Sequence, residues 1–208
     1  MFYPIFLDLE GRATLVVGGG AVAERKVESL LEVGARITVV SPTATPRLRE
    51  WGAAGRIALQ PRPFEDADVT GHLLVIAATD DSETQHAARA AGARHHVLVN
   101  VADQPDLCDF ILPAVTRRGD VVVAVSTSGK SPALAAALRS RIDRLLPADV
   151  ARAASVLGSV RDETRRRYTD ADDRKRAFER VVASGILDWI RDCDDDAALA
   201  RVRELMDL

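Results

Sequence analysis

Short apolar runs alternate with amphipathic stretches over the first half of the chain. Residues 13–17 (ATLVV), 36–40 (RITVV) and 97–101 (VLVNV) are short, mostly apolar runs, and 73–78 (LLVIAA) is apolar at every position. Strands apolar on both sides are what a parallel sheet covered by helices on both faces requires. Residues 56–60 read as a further, weaker strand. Between these runs the period lengthens. Val22, Ala23, Val27, Leu30 and Leu31 recur near helical spacing, with Glu24, Arg25, Lys26 and Glu28 mostly elsewhere, and Gly34 suits a left-handed helix end. Thr45-Pro46 reads as cap and first turn of a short helix, and Asp81 or Ser82 can cap another that runs to about residue 91. This βαβαβ order predicts an α/β fold, an open parallel sheet with right-handed crossovers. Ligands of such sheets bind outside the carboxyl ends of the strands, near the point where strand order reverses. Segments 18–22, 41–43, 77–81 and 100–104 occupy those ends.

The pattern changes after Pro113. Residues 121–125 (VVVAV) form a strand, 127–130 (TSGK) a loop, and Ser131-Pro132 opens a helix of alanine, leucine and arginine that ends before Pro147. From residue 148 onward everything reads as helix with charged faces. Boundaries near 113 and 147 therefore predict three parts, 1–113, 114–147 and 148–208, with no internal repeat and no low-complexity linker.

Composition narrows the function classes. The net charge of −3 over 208 residues excludes nucleic-acid binding driven by bulk positive charge, and 4% aromatics gives little to stack bases on. Cys108 and Cys193 stand in no metal-ligand spacing. His95 and His96 are adjacent, and we read them as helix-end or loop residues rather than iron ligands. We expect no metal site, no signal peptide, no membrane span and a cytoplasmic location.

One motif carries chemistry. Gly18-x-Gly20-x-x-Ala23 follows a strand and opens a helix, the context that a dinucleotide fingerprint requires. The first glycine permits the tight turn, the second lets backbone amides approach a pyrophosphate, and Ala23 lets helix and strand pack closely. The helix N-terminus adds about half a positive charge. The cofactor residues expected on this reading are Gly18, Gly20, Ala21 and Val22, Ser41, Pro42 and Thr43 after the second strand, and Thr79 and Asp80 after the fourth. The second strand ends in Val40-Ser41-Pro42-Thr43 and not in a carboxylate, with Arg47 the nearest arginine, so NAD is preferred over NADP only modestly.

Five ordered motifs extend this picture. VVGGGAVAERK (16–26), AATDD (77–81), NVAD (100–103), FILP (110–113) and STSGKSP (126–132) together closely resemble the precorrin-2 dehydrogenase/sirohydrochlorin ferrochelatase family of sirohaem biosynthesis. This is the module that some bacteria fuse to a uroporphyrinogen methyltransferase, and we expect no methyltransferase domain within these 208 residues. The resemblance covers residues 1 to about 147, and the helical tail more loosely. It implies a Rossmann-type NAD-binding domain, a small dimerisation segment and an α-helical C-terminal domain. It also implies a homodimer, with the active site between cofactor and dimerisation region. It makes Asp103 essential for dehydrogenation, and in some members the matching aspartate serves metal insertion.

The chemistry fits those residues. Precorrin-2 becomes sirohydrochlorin by losing a hydride and a proton. NAD accepts the first and a base must take the second. Asp103 follows a buried strand, where partial burial would raise its pKa toward a useful range; capping a turn before Pro105 is its structural alternative. Asp106, Cys108 and Asp109 read as a solvated loop beside it. The substrate is rich in carboxylates, so local positive charge is needed. Arg117, Arg118, Lys130 and Arg139 are candidates, with Ser126, Thr127, Ser128 and Gly129 as hydrogen-bond donors near the helix that starts at Ser131. Against this stands a plainly capped helix. The run Arg165-Arg166-Arg167 reads as a solvated face. Three functions remain open at this point. They are NAD-dependent oxidation of precorrin-2 with transient Fe²⁺ chelation, the dehydrogenase alone, and a redox-sensing NAD module without enzymatic chemistry.

Overall fold

The computed structural model describes residues 2–208, and the chain divides into two compact units that meet in sequence between Leu112 and Pro113. The first unit holds five parallel strands, β1 (Ala13–Val17), β2 (Arg36–Val40), β3 (Ala58–Gln60), β4 (Leu74–Ala77) and β5 (Leu98–Val101), in the order β3-β2-β1-β4-β5. Three helices connect them, α1 (Ala21–Glu32), α2 (Pro46–Ala53) and α3 (Ser82–His95). Strand order reverses between β1 and β4, which are paired with Val17 opposite Ala77.

Alternation explains the continuous apolar runs. Val16, Ile37, Val39, Leu74 and Ile76 join Ala23, Val27 and Leu30 of α1 in one core layer. Leu15, Val17, Val40, Val75, Ala77, Val99 and Val101 join Ala88 and Ala91 of α3 in the other. Neighbouring residues of one strand point to opposite faces, so both faces of each strand must be apolar. Each buried Val, Leu or Ile contributes roughly 1.5–3 kcal/mol. Gly92 lets α3 sit close, since a Cβ there would stand 2.1 Å from the Val99 side chain.

The expected elements are present with shifted ends. β3 is shorter than 56–60, and α3 runs on to His95 with His96 as its left-handed cap at φ 56°. His95 pairs with Asp66 at 2.9 Å. Because α3 returns antiparallel to the strands, both histidines lie at the end of the sheet away from the glycine loop.

The second unit opens with a strand that the sequence reading missed. β6 (Ala114–Arg118) pairs antiparallel with β7 (Val121–Val125) about the turn at Gly119 and Asp120. Gly-Asp between two β-rich runs is itself a hairpin signature, and Arg117-Arg118 obscured it. Helix α4 (Pro132–Leu145) covers one face, where Asp143 accepts a hydrogen bond from Thr116 and pairs with Arg118 at 3.0 Å. Five further helices follow: α5 (Val150–Ser159), α6 (Arg161–Arg167), α7 (Ala171–Ala183), α8 (Ile186–Trp189) and α9 (Asp195–Met206). Ala153, Val156, Val160, Ala177, Val181, Ile190, Val202 and Met206 form their core. Asp170 and Asp194 cap α7 and α9. Arg165, Arg166 and Arg167 are exposed. Among the described residues no helix is long and apolar enough to cross a membrane.

Candidate active site

The glycine turn sits at the carboxyl end of β1, where the strand order reverses. Gly18 has φ 118°, and a Cβ there would lie 2.2 Å from the Ala78 carbonyl oxygen. Gly19 is pressed from the other side, with a Cβ position 1.9 Å from the Thr43 carbonyl oxygen and 2.9 Å from Ser41 Oγ. Gly20 differs: no atom lies within 4 Å of its Cβ position. The protein's own backbone therefore demands the first two glycines, while the third faces open space.

That space lies before an uncapped helix. Gly20 is the N-cap of α1 and offers no side-chain hydrogen bond, whereas Thr45 caps α2 and Asp81 caps α3. Among the described residues the amides of Gly20, Ala21 and Val22 have no protein acceptor. Free amides, the positive end of the helix dipole and room for close approach are what a diphosphate needs. A dinucleotide fits these residues.

The other expected cofactor residues surround this turn. Ser41 is buried, its amide donating to Gln60 at 3.1 Å, while Pro42 and Thr43 stand exposed at the rim. Arg47, the nearest arginine, is committed elsewhere. It pairs with Glu28 at 2.6 Å and lies 4.8 Å from the centre of the Trp51 ring. On the β4 side, Thr79 is half-buried and Asp80 exposed. Asp81 caps α3 through the Thr84 amide at 3.0 Å, and the hydrogen bonds from the Thr84 side chain and backbone hold its carboxyl below the usual range.

Asp103 lies beyond β5. The Ala102 amide donates to Ala77 at 2.9 Å, which carries the chain beside the end of β4. Val101 to Gln104 then forms a turn closed by the Gln104 amide on the Val101 carbonyl at 3.3 Å, with Asp103 at φ 58°. The side chain is exposed, so the expected partial burial is not found: a turn apex outside the sheet edge has no neighbours to cover it. Lys26 of α1 feels the Asp103 charge. Burial, the largest influence, and then Arg25 lower its pKa, and Asp103 opposes them.

The loop after Asp103 is exposed over residues 104–106 and at Asp109, but two of its side chains are tied to the fold. Asp109 pairs with Arg89 at 2.6 Å and accepts from the Val99 amide at 2.9 Å, and Cys108 is half-buried against β5. The cause is that β5 is an edge strand, whose outward backbone groups need partners. Of Asp106, Cys108 and Asp109, Asp106 is the one that makes no side-chain bond among the described residues.

In the second unit, residues 126–130 form a compact turn. Ser128 at φ 54° and Gly129 at φ 80° are both left-handed. Thr127 Oγ1 donates to the Ser131 carbonyl and accepts from the Ser131 amide, each at 3.0 Å, so its hydroxyl is spent inside the loop rather than offered to a ligand. Ser131 caps α4 through the Leu134 amide at 3.2 Å. Ser126, Ser128, Gly129 and Lys130 are exposed, and Lys130 has no ion pair among the described residues. Arg118 is not a free cation, being held by Asp143.

The sequence reading missed several residues. Gly19 falls at a variable position of the fingerprint, and only the approach of Thr43, distant in sequence, reveals its role. Gln85 is buried and donates to the Thr79 carbonyl at 2.7 Å, which secures the β4 loop. Its helical spacing from Ala88 and Gly92 was a legible sign that it faces the core. Asn100 is buried and donates to the Phe110 carbonyl at 2.9 Å.

Fold and glycine turn define the first unit as a dinucleotide-binding α/β domain. Comparison with known proteins agrees. A family described as "Putative NAD(P)-binding" matches residues 5–114, and one described as "Sirohaem biosynthesis protein central" matches residues 118–145. The chain is 44% identical over 197 residues to a sirohaem synthase of Thioalkalivibrio sulfidiphilus and 39% identical over 203 residues to one of Nitrosospira multiformis. These matches take in 95% and 96% of this chain but 40% and 43% of those proteins, so the chain spans about two-fifths of their length. The solved structure of SirC, a precorrin-2 dehydrogenase, superposes with a TM-score of 0.75 at 26% identity, covering 99% of this chain and 98% of that one. The chain belongs to the family described as putative NAD(P)-binding, and its residues 118–145 match the central segment of sirohaem biosynthesis proteins.

Proposed function

We propose that this chain oxidises precorrin-2 to sirohydrochlorin with NAD. The observation that carries the reading is the uncapped Gly20 end of α1, open to a diphosphate, at the same end of one sheet as the exposed carboxylate of Asp103. Bound NAD supplies the hydride acceptor. The amides of Gly20, Ala21 and Val22 hold its diphosphate, while Pro42 and Thr43 meet the adenosine ribose. Thr79 and Asp80 border the nicotinamide side. Preference for NAD over NADP is supported by Arg47, whose guanidinium is already neutralised by Glu28. Asp103 takes the proton that leaves the tetrapyrrole, and its exposure leaves it accessible to a large substrate.

Ser126, Ser128, Gly129 and Lys130 are assigned to the substrate carboxylates, with Lys130, Arg117 and Arg139 as cations that have no ion pair among the described residues. In this reading residues 114–147 are the dimerisation segment and 148–208 a helical domain, supported by a core drawn wholly from residues 153 to 206. A second copy is supported by Leu134, Leu138 and Leu145, which form one outward stripe on α4 at 52%, 36% and 80% exposure. The cytoplasm is the compartment that fits two free thiols.

The test is to incubate the purified protein with precorrin-2 and NAD and to follow the tetrapyrrole spectrum and NADH together. Stoichiometric appearance of sirohydrochlorin and NADH is expected. NAD binding without turnover would favour a sensing module instead. Adding Fe²⁺ afterwards separates a dehydrogenase that also inserts the metal from one that stops at sirohydrochlorin.

A further inference from the structure

The turn that carries Asp103 is held by one sulfur atom. Cys108 Sγ accepts from the Val101 amide at 3.2 Å and lies 3.3 Å from the Val101 carbonyl, 3.3 Å from the Gln104 carbonyl and 3.4 Å from Asn100 Nδ2. Val101 and Gln104 are the two ends of the turn, and Asp103 lies between them. The thiol thus bridges the base of the turn from outside the sheet edge.

The surrounding chain fixes the sulfur in turn. After the single 3-10 turn Pro105–Leu107, the backbone runs back along β5. There the Asp109 amide donates to the Val99 carbonyl at 2.8 Å, Asp109 Oδ2 accepts from the Val99 amide at 2.9 Å, and Asn100 grips the Phe110 carbonyl. Asp103 itself is in a left-handed conformation that a non-glycine residue adopts at a cost of about 1–2 kcal/mol. Such a conformation persists only where the surroundings over-determine it. Backbone bonds anchor the turn from Gln104 to Val101 and from Ala102 to Ala77, and the sulfur adds contacts at both of its ends. Burial, the largest influence, raises the Cys108 pKa, opposed by the Val101 hydrogen bond, so the thiol keeps its proton at neutral pH and its one S–H can donate to the Gln104 or the Val101 carbonyl.

We propose that Cys108 is a positioning residue for Asp103, its thiol clamping the Val101–Gln104 turn so that the carboxylate is presented in one orientation. The proposal rests on Asp103 being the base of the reaction above. Valine removes the hydrogen bonds and leaves an apolar side chain one γ atom larger in their place, while the isosteric serine keeps a donor and an acceptor.

The experiment compares Cys108→Val, Cys108→Ser, Asp103→Asn and the double variant Asp103→Asn/Cys108→Val, with hydrogen exchange followed in parallel. Cys108→Val should lower kcat by about 10- to 100-fold, the scale of a displaced catalytic group. KM for precorrin-2 and Kd for NAD should stay within about twofold, on the order of the 0.4 kcal/mol uncertainty of such comparisons. Cys108→Ser should recover part of the loss. In the Asp103→Asn background the valine should cost nothing more, because its effect runs through the carboxylate. Exchange at the amides of residues 101–104 should quicken in Cys108→Val while β1 and β4 stay protected. An equal loss in both backgrounds, or unchanged exchange at the turn, would overturn the proposal. An inactive parent whose turn still loosens in Cys108→Val would instead overturn the assignment of the reaction and leave the clamp standing.

Discussion

The three glycines make the sharpest test, because they differ in what surrounds them. Gly19→Ala places a methyl group 1.9 Å from the Thr43 carbonyl oxygen and 2.9 Å from Ser41 Oγ. Two of its three nearest atoms are backbone of the β2 loop, which must move to relieve the contact. Overpacking of this kind costs about 1–3 kcal/mol or more. A chain of this size loses roughly 2–4 °C in Tm for each kcal/mol. Gly20→Ala meets no atom within 4 Å and has an ordinary φ of −83°, so only the poorer capping of alanine is felt, about 0.5–1 kcal/mol, and Tm should fall by roughly 1–4 °C. The same methyl group occupies the room a diphosphate needs. A comparable 1–3 kcal/mol taken from binding raises Kd for NAD by roughly 5- to 150-fold. Differential scanning calorimetry without cofactor and titration calorimetry with NAD separate the two effects. Gly20→Ala binding NAD as tightly as the parent would place the cofactor elsewhere. Gly19→Ala melting with the parent would show that the β2 loop is not pressed against the turn.

Asp103→Asn should lower the rate of precorrin-2 oxidation by about 10²–10⁴, the worth of a positioned base, with NAD affinity unchanged by titration. Lys130→Glu should raise KM for the tetrapyrrole by roughly threefold to tenfold with kcat preserved, since the side chain is exposed and without an ion pair among the described residues; steady-state kinetics decide it, and an unchanged KM would leave Ser131 as a plain helix cap. Leu138→Glu should shift a dimer toward monomer in sedimentation equilibrium, because it charges the middle of the α4 stripe. Asp68 has its pKa lowered chiefly by the hydrogen bond from Arg62 at 2.9 Å, so it stabilises the fold above the unfolded carboxyl value of about 3.9 and loses that contribution as pH falls through its folded value. Asp68→Asn should therefore be less stable than the parent at pH 7, and the two denaturation curves should converge below about pH 4.

Local pattern was enough for most of the first unit. Short, mostly apolar runs with both faces to bury could be satisfied only by helices on both faces, and the glycines after the first of them located the carboxyl end of the sheet. Helix starts were legible at Thr45, Asp81 and Ser131 because each side chain bonds the amide three residues on, a purely local event. β6 escaped notice because its two arginines mask a strand whose stability comes from pairing with β7 and cover from α4.

What the sequence by itself determined was the kind of site: a diphosphate cradle, a carboxylate after the fifth strand and a serine-rich turn with one lysine. It did so because amide geometry, charge and hydrogen-bonding capacity belong to residue types and short spacings. Tertiary structure alone decided which of those groups remain available. Thr127 and Arg118 are taken by partners within the fold, Arg47 by glutamates on another helix, and Asp103 stands uncovered where burial was expected. Availability depends on contacts between residues far apart in the chain, and no local spacing encodes them. The same holds for Cys108, which as a letter in the sequence is an isolated thiol and in the folded chain ties together both ends of the turn at Asp103.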